Sequence, residues 1–266
     1  GTDNVALGDE ALEAVTSGVR NIGIGKDAGT AITTGDSNVA IGWQALKTED
    51  THSNNVAIGA SALQTQNAGA HAYNTAVGFE AGKVVSTGIK NTFVGGLAGD
   101  ANTIGFNNVA LGYDAMGANT ASGANVAIGY EALKAYNDTT EASRFNTAVG
   151  TQAGKAVSTG LQNTFIGGLA GSSNTTADNN TAVGYQAGFT NITGTNMVAV
   201  GYKALSLSTV NSNTGIGTQA LQNTSTGNDN TAVGTGAGVA NTTGSSNVAV
   251  GSNALAANTT ASYNTA

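Results

Sequence analysis

The 266-residue chain contains no cysteine and no proline. Without cysteine, neither a disulfide framework nor a thiolate metal site is available. Without proline, no backbone N–H is lost, which suits a continuous hydrogen-bonded ladder. Charge is also scarce: 9% of residues are charged, with a net balance of −7. That balance disfavours nucleic acid, whose phosphates are held by clustered Lys and Arg. The scarcity deepens along the chain, because Lys203 is the last basic residue and Asp229 the only acid after it. No apolar run reaches membrane-spanning length, so direct membrane insertion is not expected. His52 and His71 are the only histidines.

What fills the chain instead is one short phrase. Asn-Thr-Ala-Val-Gly at Asn74–Gly78 returns at Asn180–Gly184 and Asn230–Gly234. With other aliphatic residues it also returns at Asn4–Gly8, Asn38–Gly42 and Asn247–Gly251. The closing glycine falls at 8, 25, 42, 59, 78, 95, 112, 129, 150, 167, 184, 201, 217, 234 and 251, so eleven of fourteen intervals are 17 residues and the others are 19, 21 and 16. A fixed period of this size is the signature of a solenoid. The β-branched phrase bounded by Asn and Gly reads as one short strand per coil. The expected fold is therefore all-β: a parallel β-solenoid, or β-roll, with about 17 residues per coil, forming one domain over residues 1–266. The chain stops inside a sixteenth phrase, at Asn264-Thr265-Ala266, so it reads as a section of a longer fibre protein.

Within the phrase, positions two and four share one strand face, and positions one, three and five share the other. Position four is always Val, Ile or Leu, and position three is mostly Ala, so both faces are expected to be buried and position four to be a packing site. After each marker glycine come two variable residues and then always Ala, from Ala11 to Ala254, followed by Leu, Met or Gly. That alternation suggests that neighbouring coils share interior space unequally. Whether this half forms a strand or a helical turn is open. The recurring Asn is read equally well as a stacked amide ladder or as a turn former.

A longer period overlies the coil. The segment from Ala81 to Gly99 is closely repeated from Ala153 to Gly171, 72 residues on. An insertion precedes each copy, at Gln64–Tyr73 and at Lys134–Phe145, and both are expected to bulge from one edge. The repeated Asn-x-Ala-(Val/Ile/Leu)-Gly-x-x-Ala phrase, with Gly-rich returns, resembles the β-roll heads of trimeric autotransporter adhesins. It also resembles the repeat regions of phage tail fibres. The resemblance covers every coil and implies a trimeric, extracellular surface fibre. Oligomerisation has an independent argument: a thin coil whose strand is apolar on both faces leaves one apolar stripe for a partner to cover.

Catalytic parts are missing. His52 and His71 fall in variable returns, and Asp50, His52 and Ser53 are neighbours in sequence rather than a preorganised triad. A polysaccharide-cleaving spike would need paired carboxylates, but Glu10/Glu13, Glu49/Asp50 and Asp138/Glu141 all read as solvated surface. Aspartate recurs at no fixed repeat position, so an ordered calcium column is not expected. The Gly-x-Gly phrases lack the following helix and Lys of a phosphate loop. No cofactor is expected. Thr at strand position two is interrupted by aliphatic residues, which argues against an ice-binding array.

Recognition is expected from aromatics at the variable position after the marker glycine: Trp43, Phe79, Tyr113, Tyr130, Tyr185 and Tyr202. Their alternative role is to cover the neighbouring coil. Tyr73, Tyr136, Arg144 and Phe145 in the two insertions complete the set. Function is expected to be non-enzymatic: an attachment and spacer module of a cell-surface or virion fibre that contacts a host glycan or protein. The alternatives are a self-assembling filament subunit and a glycan-cleaving spike.

Overall fold

A computed structural model describes residues 1–69 and 71–266. Its contacts divide it into two compact units, Gly1–Glu131 with Asn137–Arg144, and Ala132–Tyr136 with Phe145–Ala266. The first unit carries strands β1 (Val5–Leu7) to β8 (Val126–Ile128), and the second carries β9 (Thr147–Val149) to β15 (Val248–Val250). Within each unit every strand pairs in parallel with the next one in sequence, without a slip in register. Thr75 faces Thr92 and Val109 faces Val126 in the first unit; Thr164 faces Thr181 and Thr231 faces Val248 in the second. Each unit is thus a parallel β-solenoid whose strands are three residues long.

The strands are short because left-handed residues stop them at both ends. The residue before each Asn, such as Arg20 at φ 58°, turns the chain in, and the marker glycine, such as Gly112 at φ 133°, turns it out. The second half of the coil is neither strand nor helix. It is a ribbon of tight turns in which Ala11 N–H donates to the Gly8 carbonyl at 3.3 Å and Val15 N–H to that of Leu12 at 3.2 Å. Alternate residues there are left-handed, as at Glu10 and Leu12. Leu12 N–H also donates to the Ala28 carbonyl one coil on, at 3.0 Å. The ribbon is therefore hydrogen-bonded between coils much as a strand is.

The strand faces differ from the sequence expectation. Position three is the buried one: Ala40, Ala76, Ala110, Ala148 and Ala182 are all inaccessible to solvent. Position four points outward and is half-exposed, with Leu111 at 46% and Ile166 at 40%. The reason is the width of the coil. The invariant alanines, among them Ala45, Ala81 and Ala170, are buried too, and the coil is narrow where they back onto position three: a Cβ on Gly23 would lie 3.1 Å from the Ala28 carbonyl oxygen.

At position three a larger side chain enters beside glycine. Phe93 in β6 (Thr92–Val94) replaces the usual Ala and is fully buried. A Cβ on Gly82 would come within 2.8 Å of its ring, and a Cβ on Gly99 within 2.5 Å. Phe165 in β10 (Thr164–Ile166), 72 residues later, has the same relation to Gly154. The Leu/Gly alternation after the invariant Ala therefore reflects unequal sharing of interior space.

The Asn column serves as both ladder and turn former. Asn38 N–H donates to Asn21 Oδ1 at 2.9 Å, and Asn55 N–H donates to Asn38 Oδ1 at 3.0 Å. Asn38 Nδ2 also donates to the His52 carbonyl at 2.8 Å, tying the strand to the return of the next coil. Each buried amide thereby joins two coils through backbone groups. The second unit interrupts the column at Met197, whose N–H still donates to Asn180 Oδ1 at 2.9 Å but whose thioether carries no amide oxygen to pass on.

Candidate functional site: aromatic columns and a buried carboxylate

Because the interior positions are nearly constant, chemistry can vary only on the surface and at one interior position. Two aromatic sets occupy the surface. The first follows the marker glycine and includes Trp43, Phe79, Tyr113 and Tyr130 in the first unit, with Tyr185 and Tyr202 in the second. All six are about half exposed. Tyr113 and Tyr130 stack with ring centroids 6.0 Å apart and planes 13° apart. Tyr185 and Tyr202 repeat the same arrangement at 6.0 Å and 13°. These rings therefore do cover their neighbours while leaving edges and hydroxyls in solvent. Lys203 Nζ lies 5.3 Å from the Tyr202 ring centre, within cation–π range. Gly96 and Gly168 take the same coil position just before each stack, where an added Cβ would only graze the Tyr113 or Tyr185 ring at 3.5 or 3.4 Å.

The second set stands before the Asn, at the end of each insertion. Tyr73 and Phe145 are exposed, and both adopt φ above +50°, an uncommon conformation for an aromatic residue. His71 packs edge-on against Tyr73 at 6.1 Å.

Two insertion candidates are revised. Tyr136 is fully buried, so it is a core residue and not a surface contact. It falls four residues after the invariant Ala132, a position that points inward in coil after coil, as Ile32, Val85 and Val157 do. Arg144 is mostly covered and pairs with Asp138 at 2.9 Å, so its charge is engaged within the insertion. Residues Asn137–Arg144 of the second insertion belong to the first unit, where Gly123 N–H donates to the Ala142 carbonyl and Arg144 N–H to that of Gly123, both at 2.9 Å.

The same inward position exposes what the sequence reading missed. Four residues after Ala45 comes Glu49, which is fully buried rather than solvated. Other coils place an amide there and use it on the return three residues on, as Asn191 does with Gly194. Glu49 does likewise: its Oε1 accepts the His52 N–H at 3.1 Å and lies 2.7 Å from His52 Nδ1. Burial raises the Glu49 carboxyl above the usual range, and the His52 hydrogen bond opposes that shift. Asp50 Oδ1 lies 3.9 Å from the same imidazole nitrogen. The signal was present in the sequence, because counting four from the invariant Ala places Glu49 inside. It was hidden while the interior positions were unknown.

Elsewhere charge acts on stability. Desolvation, and then the neighbouring Asp114, hold Asp100 above the usual carboxylate range against an Ala101 backbone hydrogen bond. A raised folded pKa makes ionisation a cost to the fold. The cost is absent below the ordinary value of 3.8, grows as pH rises through the interval, and is complete above the folded pKa. Asp100→Asn is accordingly expected to melt above the parent chain at pH 7, with the gap closing below pH 3.8. Thermal melts across that pH range check it.

Comparison with family models, curated proteins and solved structures returns no match to this chain.

Proposed function

We propose that the chain is a non-enzymatic structural and attachment module of an extracellular fibre, assembled as a homotrimer. It projects surface aromatics toward a host glycan or protein. The observation that carries this reading is the division of labour within the coil. The Asn column, strand position three and the invariant Ala inside the coil repeat with few changes, while the variable position after the marker glycine lies outside and holds the aromatic columns. Such a scaffold supplies length and repetition, and repetition lets weak contacts add through multivalency. The half-exposed aliphatic face of each strand ladder supports the trimer, since a partner strand face would cover it. The likeness of the repeated phrase to adhesin heads and tail fibres supports the extracellular setting.

The decisive variant replaces Tyr113, Tyr130, Tyr185 and Tyr202 by Ser. Aromatic contacts contribute on the order of 1 kcal/mol each beyond their buried area, so attachment to host cells or to a glycan array should fall by about tenfold or more. Circular dichroism and assembly mass should stay unchanged. Undiminished attachment would leave only the spacer role.

A further inference from the structure

We propose that Glu49, Asp50 and His52 form a binding site for one divalent transition cation of the zinc type. One ligand atom from each residue lies within 4.8 Å of the others. Glu49 is fully buried, and its Oε2 has no hydrogen-bond partner. Asp50 Oδ1 is also shielded from solvent and lacks a hydrogen-bond partner. Two carboxylate oxygens here are thus shielded from solvent without a donor, while His52 Nδ1 lies 2.7 Å from Glu49 Oε1 and 3.9 Å from Asp50 Oδ1, so a bound cation would satisfy groups whose burial is otherwise costly.

The spacing suits a small cation. Four-coordinate zinc holds N and O ligands at about 2.0–2.2 Å, which sets neighbouring ligand atoms roughly 3.4 Å apart. The distances from His52 Nδ1, 2.7 Å to Glu49 Oε1 and 3.9 Å to Asp50 Oδ1, straddle that value. Shifts of about 0.6 Å, within side-chain rotation, would equalise them. The ligand set of one nitrogen and two oxygens favours zinc, cobalt or nickel over calcium, which takes six or more oxygens.

The imidazole is oriented for this role. With Nδ1 on the metal, the neutral ring carries its proton on Nε2, which lies 3.3 Å from Thr51 Oγ1 and can donate to it. The loop backbone is already fixed by the preceding coil: the Asp50 carbonyl accepts Thr33 N–H at 2.6 Å and Thr33 Oγ1 at 3.0 Å, and the His52 carbonyl accepts Asn38 Nδ2 at 2.8 Å. Asp50 is part-exposed, which leaves the fourth position to water. The ion would cross-link a return to the interior carboxylate of its own coil.

The test is zinc titration of the metal-free 266-residue chain by calorimetry, in a buffer that does not bind metal. One zinc per chain is expected, with micromolar affinity and a higher melting temperature in its presence. Asp50→Asn, at a side chain whose Oδ1 has no hydrogen-bond partner among the described residues, should weaken binding at least tenfold without altering the circular dichroism spectrum. His52→Gln should do the same, and His71→Asn should change nothing. Absence of saturable uptake at one ion per chain overturns the site. So does uptake that survives Asp50→Asn and His52→Gln, or uptake that is lost with His71→Asn. Preference for calcium over zinc also overturns it, because a hard-oxygen site would be a different one.

Discussion

Gly112→Ala is expected to lower stability by about 4 kcal/mol and to leave much of the first unit unfolded at room temperature. Two effects add. At φ 133° an L-residue is strained, which costs on the order of 1–3 kcal/mol. The new Cβ would also lie 2.5 Å from the Gly129 carbonyl oxygen and 2.7 Å from its carbon. Those atoms belong to backbone and cannot rotate away, so overpacking adds about 1–3 kcal/mol. Relief by moving Gly129 would in turn disturb the coil above it. Gly96→Ala is the matched control, because that glycine has no positive φ and its Cβ would make ordinary contacts, 3.5 Å to the Tyr113 ring and 4.0 Å to the Phe79 carbonyl oxygen. Urea unfolding should separate the two variants by several kcal/mol. If Gly112→Ala falls within about 1 kcal/mol of Gly96→Ala, the stacked-glycine account of the coil is wrong.

That glycine column was visible in the sequence as a period, and so were the strand, its parallel pairing and the unequal sharing of space after the invariant Ala. Which strand face turns inward was not visible. Positions three and four are both apolar, so alternation alone does not rank them. The ranking comes from the narrowness of the coil at position three, which takes Ala40 or Ala76 directly and Phe93 beside glycine. The second half of the coil was illegible for a different reason. Left-handed residues such as Glu10, Leu12 and Gln44 carry no local preference for that conformation; it is imposed by hydrogen bonds from adjacent coils. The same cause hid two site residues. Tyr136 and Glu49 look like surface in a polar, variable return, and only the four-residue count from the invariant Ala reveals that they point inward. The aromatic columns were legible because they sit beside the marker glycine and need no tertiary information to be aligned.

The outward position four makes the second large effect. Leu111→Glu with Ile166→Glu, one substitution in each unit, is expected to convert the proposed trimer into monomers while each solenoid stays folded. Both side chains are already half in water, so the isolated coil loses little by the change. In a trimer the same positions would be covered by a neighbouring chain. Burying the remaining aliphatic surface contributes about 1 kcal/mol per site. Placing an unpaired carboxylate there costs several kcal/mol more. With two sites on each of three chains, the concentration needed for assembly should rise by well over a hundredfold, since about 1.4 kcal/mol corresponds to a factor of ten. Light scattering at micromolar concentration should then give the mass of one 26.0 kDa chain, against three for the parent. Circular dichroism should remain that of the parent. An unchanged trimer mass would show that the strand face is not the assembly surface, and a lost β-spectrum would show that position four supports the coil itself. Glu is the informative choice because a carboxylate at a half-exposed site is solvated in the monomer and stranded in the assembly, so the two states separate by the largest margin that one atom-scale change allows.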